Sequence, residues 1–245
     1  MPLYKEQGVV LRSHKLGEAD KIITVMTQGA GKVRGVAKGI RRTRSKFGAR
    51  LEPFTHVNLM LYRGTGALDT ITQAEIISPF LGLRADLGTF AAGETMLEAV
   101  DKVAEEHERN VQLFLLLLQG VRALDGAPAD PTAVGECFLL KLLSVSGFHP
   151  SLNACAVCGS TDPVLFSSHQ GGAVCGRCAE GGAEPVSGPA LAWLRALAAA
   201  DLSASGDLTA DERARREARG LLSAFTEYHL ERRMKSLPVS RSLSR

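Results

Sequence analysis

The chain has 245 residues, 45% hydrophobic and 22% charged, with a formal net charge of +3. That length buries one large core or two to three small ones, and that composition excludes a wholly disordered chain. The opening residues lack an apolar signal core, and the densest apolar run, Val111 to Leu118, is too short to span a bilayer, so the expected protein is cytoplasmic and touches no membrane.

Residues 1–78 predict a small β-barrel. Val9–Leu11, Ile22–Met26 and Lys32–Val36 are short β-branched runs between Gly-rich or charged turns. Phe54–Tyr62 alternates, with Val57, Leu59 and Leu61 on one face and His56, Asn58 and Met60 on the other. Gly64-Thr65-Gly66 turns into a fifth run, Leu68–Ile77. Five strands in so short a stretch fit an oligonucleotide-binding (OB) barrel, and an SH3-like barrel nearly as well.

After Ser78-Pro79 the period becomes helical. Leu87, Phe90, Leu97 and Val100 mark a first helix, Asn110–Leu124 a buried second, and Val134–Val145 a third that Gly147 stops. Residues 149–185 lose periodicity and read as a small insert. Helix resumes after Ser187-Gly188-Pro189. A last helix starts at the capping-box pattern Thr209-Ala210-Asp211-Glu212 and runs to about Lys235. The expected fold is therefore α+β: a barrel over 1–78, then a helical domain over 79–245. That domain comprises 79–148 and 186–236, a zinc-binding insert at 149–185 and a loose tail at 237–245.

The insert carries the most specific motif. Cys155-Ala-Val-Cys158 and Cys175-Gly-Arg-Cys178 each set two thiols on one side of a tight turn, and Val164–Phe166 can form a hairpin that joins them. Four thiolates close a tetrahedral site for one structural Zn2+, with no position open for a reacting water. A reducing compartment disfavours disulfides here. Cys137, beside Phe138 and Leu139, reads as core.

Charge is unevenly spread. Residues 1–80 carry 13 Lys/Arg against 6 Asp/Glu, residues 81–212 carry 7 against 17, and residues 213–245 carry 9 against 3. Within the basic head, Lys32, Arg34, Lys38, Arg41, Arg42, Arg44, Lys46 and Arg50 follow one another with no acid between them. Read as a barrel strand and the solvated loop leaving it, this run can track successive phosphates of a nucleic acid. Phe47 is its one aromatic, with Phe54 and Tyr62 nearby as stacking platforms or core, so contact should be phosphate-led and weakly sequence-selective. Nothing marks an enzyme. Gly29-Ala30-Gly31-Lys32 has Met26 and Val33 where a phosphate loop needs Gly and Ser/Thr, and the six histidines have no paired metal spacing.

Taken in order, several short segments resemble the RecO family of bacterial DNA repair proteins. They are Gly17–Lys21, Thr27 with Gly31, Val36–Arg41, Ser45–Phe47 and Leu51–Phe54, then Gly147–Pro150, the four cysteines, Tyr228–Leu230 and Arg232–Ser236. Glu52 departs from the Gln frequent in that family. The resemblance implies an OB barrel, a helical domain and a zinc element. It also implies a non-catalytic mediator that binds single-stranded and double-stranded DNA and anneals complementary strands. With RecR, such a mediator helps load RecA on single strands coated by single-strand-binding protein (SSB), whose acidic C-terminal tail it contacts; it works at the nucleoid. An RNA-binding or translation-associated barrel protein remains the alternative on charge alone, because a basic loop suits either nucleic acid.

Overall fold

The computed structural model describes residues 3–64, 66–230, 234 and 236. Strands β1 (Leu3–Leu16), β2 (Asp20–Thr27), β3 (Gly31–Ala37), β4 (His56–Tyr62) and β5 (Asp69–Ser78) close a barrel in the order β1-β2-β3-β5-β4. All pairings are antiparallel except the short β3–β5 seam at Gly35/Asp69 and Val36/Thr70, which is the closure of an OB barrel. β1 is long enough to serve two neighbours. Its first half pairs with β4 and its second with β2, and a register shift between Val10 and Arg12 bends it from one to the other. Val10, Ile23, Val25, Val33, Val57, Leu59, Leu61 and Ile71 fill the interior.

The predicted β4 alternation holds for Val57, Leu59 and Leu61, whereas His56, on the outer face, is buried under the helices against Phe114. Of the Gly64–Gly66 turn, Thr65 lies outside the described residues.

The helical body holds α1 (Leu87–Val103), α2 (Val111–Asp125), α3 (Pro131–Val145), α4 (Gly188–Ala199), α5 (Leu202–Ser205) and α6 (Glu212–His229). Side-chain caps start most of them: Asp86, Asn110, Asp130 and Ser187 each accept an amide N–H of the first turn. α3 ends as expected, with Gly147 at φ +85°. α1 packs through Met96, Leu97 and Val100 and the small residues Ala91, Ala92 and Ala99, while Leu87 stands largely in solvent and Phe90 rests edge-on against Phe54.

Two expectations for α6 are corrected. Its cap is Asp211 and not Thr209, because the Asp carboxylate reaches the amides of Arg213 and Ala214 and places negative charge on the helix N-terminus. The helix ends at His229, short of the expected Lys235, with the Leu230 amide donating to the Thr226 carbonyl. Arg232, Arg233, Lys235 and the 237–245 tail lie outside the described residues.

Helices and barrel share one core. Val9, Leu11, Met26 and Phe54 from the barrel side join the cluster built by α1 to α4 and α6. The seam is polar at its edge. Lys32 donates to the Asp101 carbonyl at 2.6 Å, Arg12 pairs with the Asp101 carboxylate at 2.7 Å, and the His107 amide donates to the Lys32 carbonyl at 3.0 Å. At the β2–β3 turn, Gly31 has φ +67°, and a Cβ there would lie 1.9 Å from the Glu108 carbonyl oxygen. Only glycine permits both that backbone and that approach.

Inside the body, Glu136 of α3 is buried between Arg219 of α6 (2.6 Å) and the Trp193 indole N–H of α4 (3.1 Å). Burial pushes its carboxyl up, and the Arg219 charge opposes that.

Candidate nucleic-acid interface and metal centre

The basic run does not form one surface. Lys32 and Arg34 point from β3 toward the helical body, where Lys32 faces the Asp101 carboxylate at 3.6 Å and Arg34 pairs with Glu106 at 3.3 Å. Their acidic partners lie about 70 residues away in sequence, beyond the reach of any local pattern. Lys38, Arg41, Arg42, Arg44, Lys46 and Arg50 are exposed and sit together on the segment between β3 and β4.

That segment is not the solvated loop expected from its charge. Ile40, Phe47 and Leu51 insert into the barrel core, with Phe47 1% and Leu51 0% exposed. Polar ties hold the rest. The Gly39 amide donates to Asp20 at 2.7 Å, Arg41 to the Gly17 and Glu18 carbonyls, Lys46 to the Thr72 carbonyl at 2.7 Å, and Arg50 to the Lys46 carbonyl at 2.6 Å. The apolar residues at 40, 47 and 51 are the signal for such a plug, diluted by the cations between them. The cations are thus carried on an anchored end-cap of the barrel, so part of the ordering entropy that a phosphate chain would otherwise have to supply is already spent. Phe47 and Phe54 are core, which removes them as stacking platforms; Tyr62 is 40% exposed.

The usual ligand face of an OB barrel, the outside of strands 2 and 3, is largely covered here. On β2 both faces are buried from Ile23 to Thr27, with Thr24 at 1% and Met26 at 0% exposure, while Asp20 to Ile22 are half-buried, and β3 presents the half-buried seam residues Lys32 and Arg34.

The four motif cysteines converge. β6 (Leu165–Ser167) and β7 (Gly172–Val174) form the expected hairpin, joined by β8 (Glu184–Pro185), and the two Cys-x-x-Cys turns meet at its end. All four Sγ atoms lie within 4.8 Å of one another, with Cys158 and Cys175 at 3.8 Å. That separation excludes a disulfide. It matches the edge of a tetrahedron with roughly 2.3 Å metal–sulfur bonds, about 3.8 Å.

The thiols are pulled in opposite directions. Amide N–H groups, first that of Cys158 and then that of Cys175, bring Cys155 down to about 6. Cys178 is pushed up to about 12, chiefly by its hydrogen bonds to Cys158 and Cys175. Four crowded thiols cannot all ionise by themselves, and a divalent cation would let them. The module has almost no core of its own: Cys155, Val174 and Cys175 are its separate buried cluster, two of the three being thiols. It leans on the body through Phe166 against Phe225 (5.8 Å) and Arg195 donating to the Leu152 carbonyl (2.8 Å). Cys137 is buried in the main core, as expected.

No helix among the described residues is long and apolar enough to cross a membrane.

Comparison with known proteins agrees with this architecture. The family model described as Recombination protein O N terminal matches residues 1–80, and the one described as Recombination protein O C terminal matches residues 84–238. A DNA repair protein RecO from Frankia casuarinae is 46% identical over 241 residues, covering 97% of this chain and 98% of its own. Its counterpart from Nocardioides sp. is 45% identical, covering 96% and 98%, and that from Bifidobacterium longum is 39% identical, covering 97% and 98%. Barrel, helical body and four-cysteine module all fall within the matched regions, and the chain belongs to the recombination protein O family.

Proposed function

We propose that this chain is a non-catalytic DNA-binding mediator of recombinational repair, annealing complementary single strands and, with RecR, helping to load RecA on SSB-coated DNA. The observation that carries the DNA half is the anchored end-cap: Lys38, Arg41, Arg42, Arg44, Lys46 and Arg50 exposed together, with Phe47 and Leu51 fixing their backbone in the barrel core. A fixed array of cations holds a phosphate chain of any sequence, because phosphates carry no sequence information, and an annealing factor must accept arbitrary sequence. RecR, RecA and the SSB tail enter on family membership alone. The four thiols fit one Zn2+, which would act by closing the 149–185 module and not by chemistry, since four protein ligands leave no place for water. The test is annealing of two complementary oligonucleotides precoated with SSB, with and without this protein. Acceleration that disappears when the end-cap cations are removed supports the reading. An unchanged annealing rate with intact protein, or stronger binding to an RNA strand than to DNA of the same sequence, would overturn it.

A further inference from the structure

We infer that a bound single strand leaves the end-cap over the outer face of β5, β4 and β1, with its bases turned toward a row of side-chain amides there. The inference rests on the DNA-binding reading above and adds a second contact zone of different chemistry. Three observations carry it.

The first is where the barrel remains open. With Ile23 to Thr27 of β2 buried and β3 tied to Asp101 and Glu106, the more open outer sheet is the β5–β4–β1 side, where Lys5, Asn58, Gln73 and Glu75 are exposed. The second is continuity. A shallow hollow bordered by Lys46, Arg50, Gln73 and Glu75 adjoins a cleft of about 660 Å3, and the two share Gln73 and Glu75. Lys46 already reaches the Thr72 carbonyl at 2.7 Å, one residue before Gln73. The third is chemistry. Cross-strand register lines up Gln73, Met60 and Lys5 in one row and Glu75, Asn58 and Gln7 in the next. Gln7 also bonds the Gln28 side chain, and Arg109 lines the same cleft.

Each amide presents a donor and an acceptor, the complement of a base edge, and Met60 offers an apolar surface on which a base can lie. Glu75 and Glu6 line the same cleft and repel phosphate. Their carboxylates therefore turn the backbone outward and leave the phosphates to Lys46 and Arg50 on one side and Arg109 on the other. The rows cross three strands, roughly 10 Å. Double-stranded nucleic acid does not fit this chemistry, because its pairing edges are occupied.

The test compares wild type with Asn58→Ala/Gln73→Ala on two probes of equal length, a mixed-sequence DNA strand and a strand of abasic sugar-phosphates. Both residues are exposed, so melting temperature and zinc content should not change. The double variant should bind the mixed strand roughly tenfold more weakly. It should keep the wild-type salt dependence and bind the abasic strand as wild type does. Irradiation of wild type with a 5-iodouracil strand should crosslink Met60 or the β5 peptide. Unchanged affinity for the mixed strand, an equal loss on the abasic strand, or crosslinks on β2 or β3 would each overturn the inference. If the end-cap salt dependence is intact in those cases, the DNA-binding reading stands without it; no binding to either probe removes both.

Discussion

Replacing Arg41, Arg42, Arg44 and Lys46 together by Ala should flatten the salt dependence of single-strand binding while leaving the fold in place. Six cations are exposed on the end-cap. If each neutralises one phosphate, log affinity falls against log salt with a slope of about −4, at about 0.7 per phosphate for single strands. Removing four takes the slope to about −1.4. Between 50 and 200 mM salt, wild type should then lose roughly 300-fold in affinity and the variant only about sevenfold. The hydrogen bonds from Arg41 and Lys46 run to backbone carbonyls, so they leave both charges available to phosphate. Ile40, Phe47 and Leu51 are retained, and they hold the segment in the barrel. Fluorescence anisotropy of a labelled 30-mer across a salt series measures the slope; circular dichroism and zinc content report the fold. A variant slope still near −4 would refute the assignment, most directly if charge reversal at Arg232 and Arg233 abolished the slope instead.

Purified protein should hold about one zinc per chain, and Cys175→Ser should lose it and melt lower with an unchanged salt slope, because the module's own buried cluster is largely its ligands. A metal-free preparation with the same melting temperature would contradict this. Glu136→Leu should cost about 3–5 kcal/mol in chemical denaturation by stripping the carboxylate from buried Arg219 and the Trp193 N–H. Glu136→Leu/Arg219→Leu should recover most of that loss, and additive losses would refute the coupling. Burial, then the Arg122 charge, holds the His56 imidazole below its usual value, and neither ring nitrogen has a hydrogen-bond partner among the described residues. Its contribution is therefore complete above the unfolded value of about 6.5 and is lost as pH falls through the depressed folded value. Melting should drop more between pH 7.5 and 5.5 for wild type than for His56→Phe, metal release being common to both; equal drops would show that His56 is not the titrating group.

Much of the architecture was legible because its signals are local. The alternation of Val57, Leu59 and Leu61 gave β4, Gly147 gave the end of α3, and the two Cys-x-x-Cys turns gave the thiol cluster. What escaped depends on partners distant in sequence. Lys32 and Arg34 looked the same as Arg42 and Arg44 until α1 and the segment that follows it brought Asp101 and Glu106 against β3. The end-cap looked like a solvated loop because charge outnumbers Ile40, Phe47 and Leu51, although three apolar residues suffice to anchor it. At α6, Thr209 offered the familiar pattern while Asp211, two residues on, had the better geometry and charge.

The polar seam at Asp101 and Gly31 bears on how this protein can be dissected. Cutting the chain after residue 78 would release a barrel whose Val9, Leu11, Met26 and Phe54 lose their cover, and whose Lys32 and Arg34 lose their acids. Such a fragment would be sticky, more basic, and newly open on strands 2 and 3. Its affinity for DNA would include a surface that the helical body covers in the intact chain, so it would not test the end-cap placement proposed above. Gly31→Ala, which forces the Glu108 carbonyl away, would bring the full-length protein toward the same misleading state.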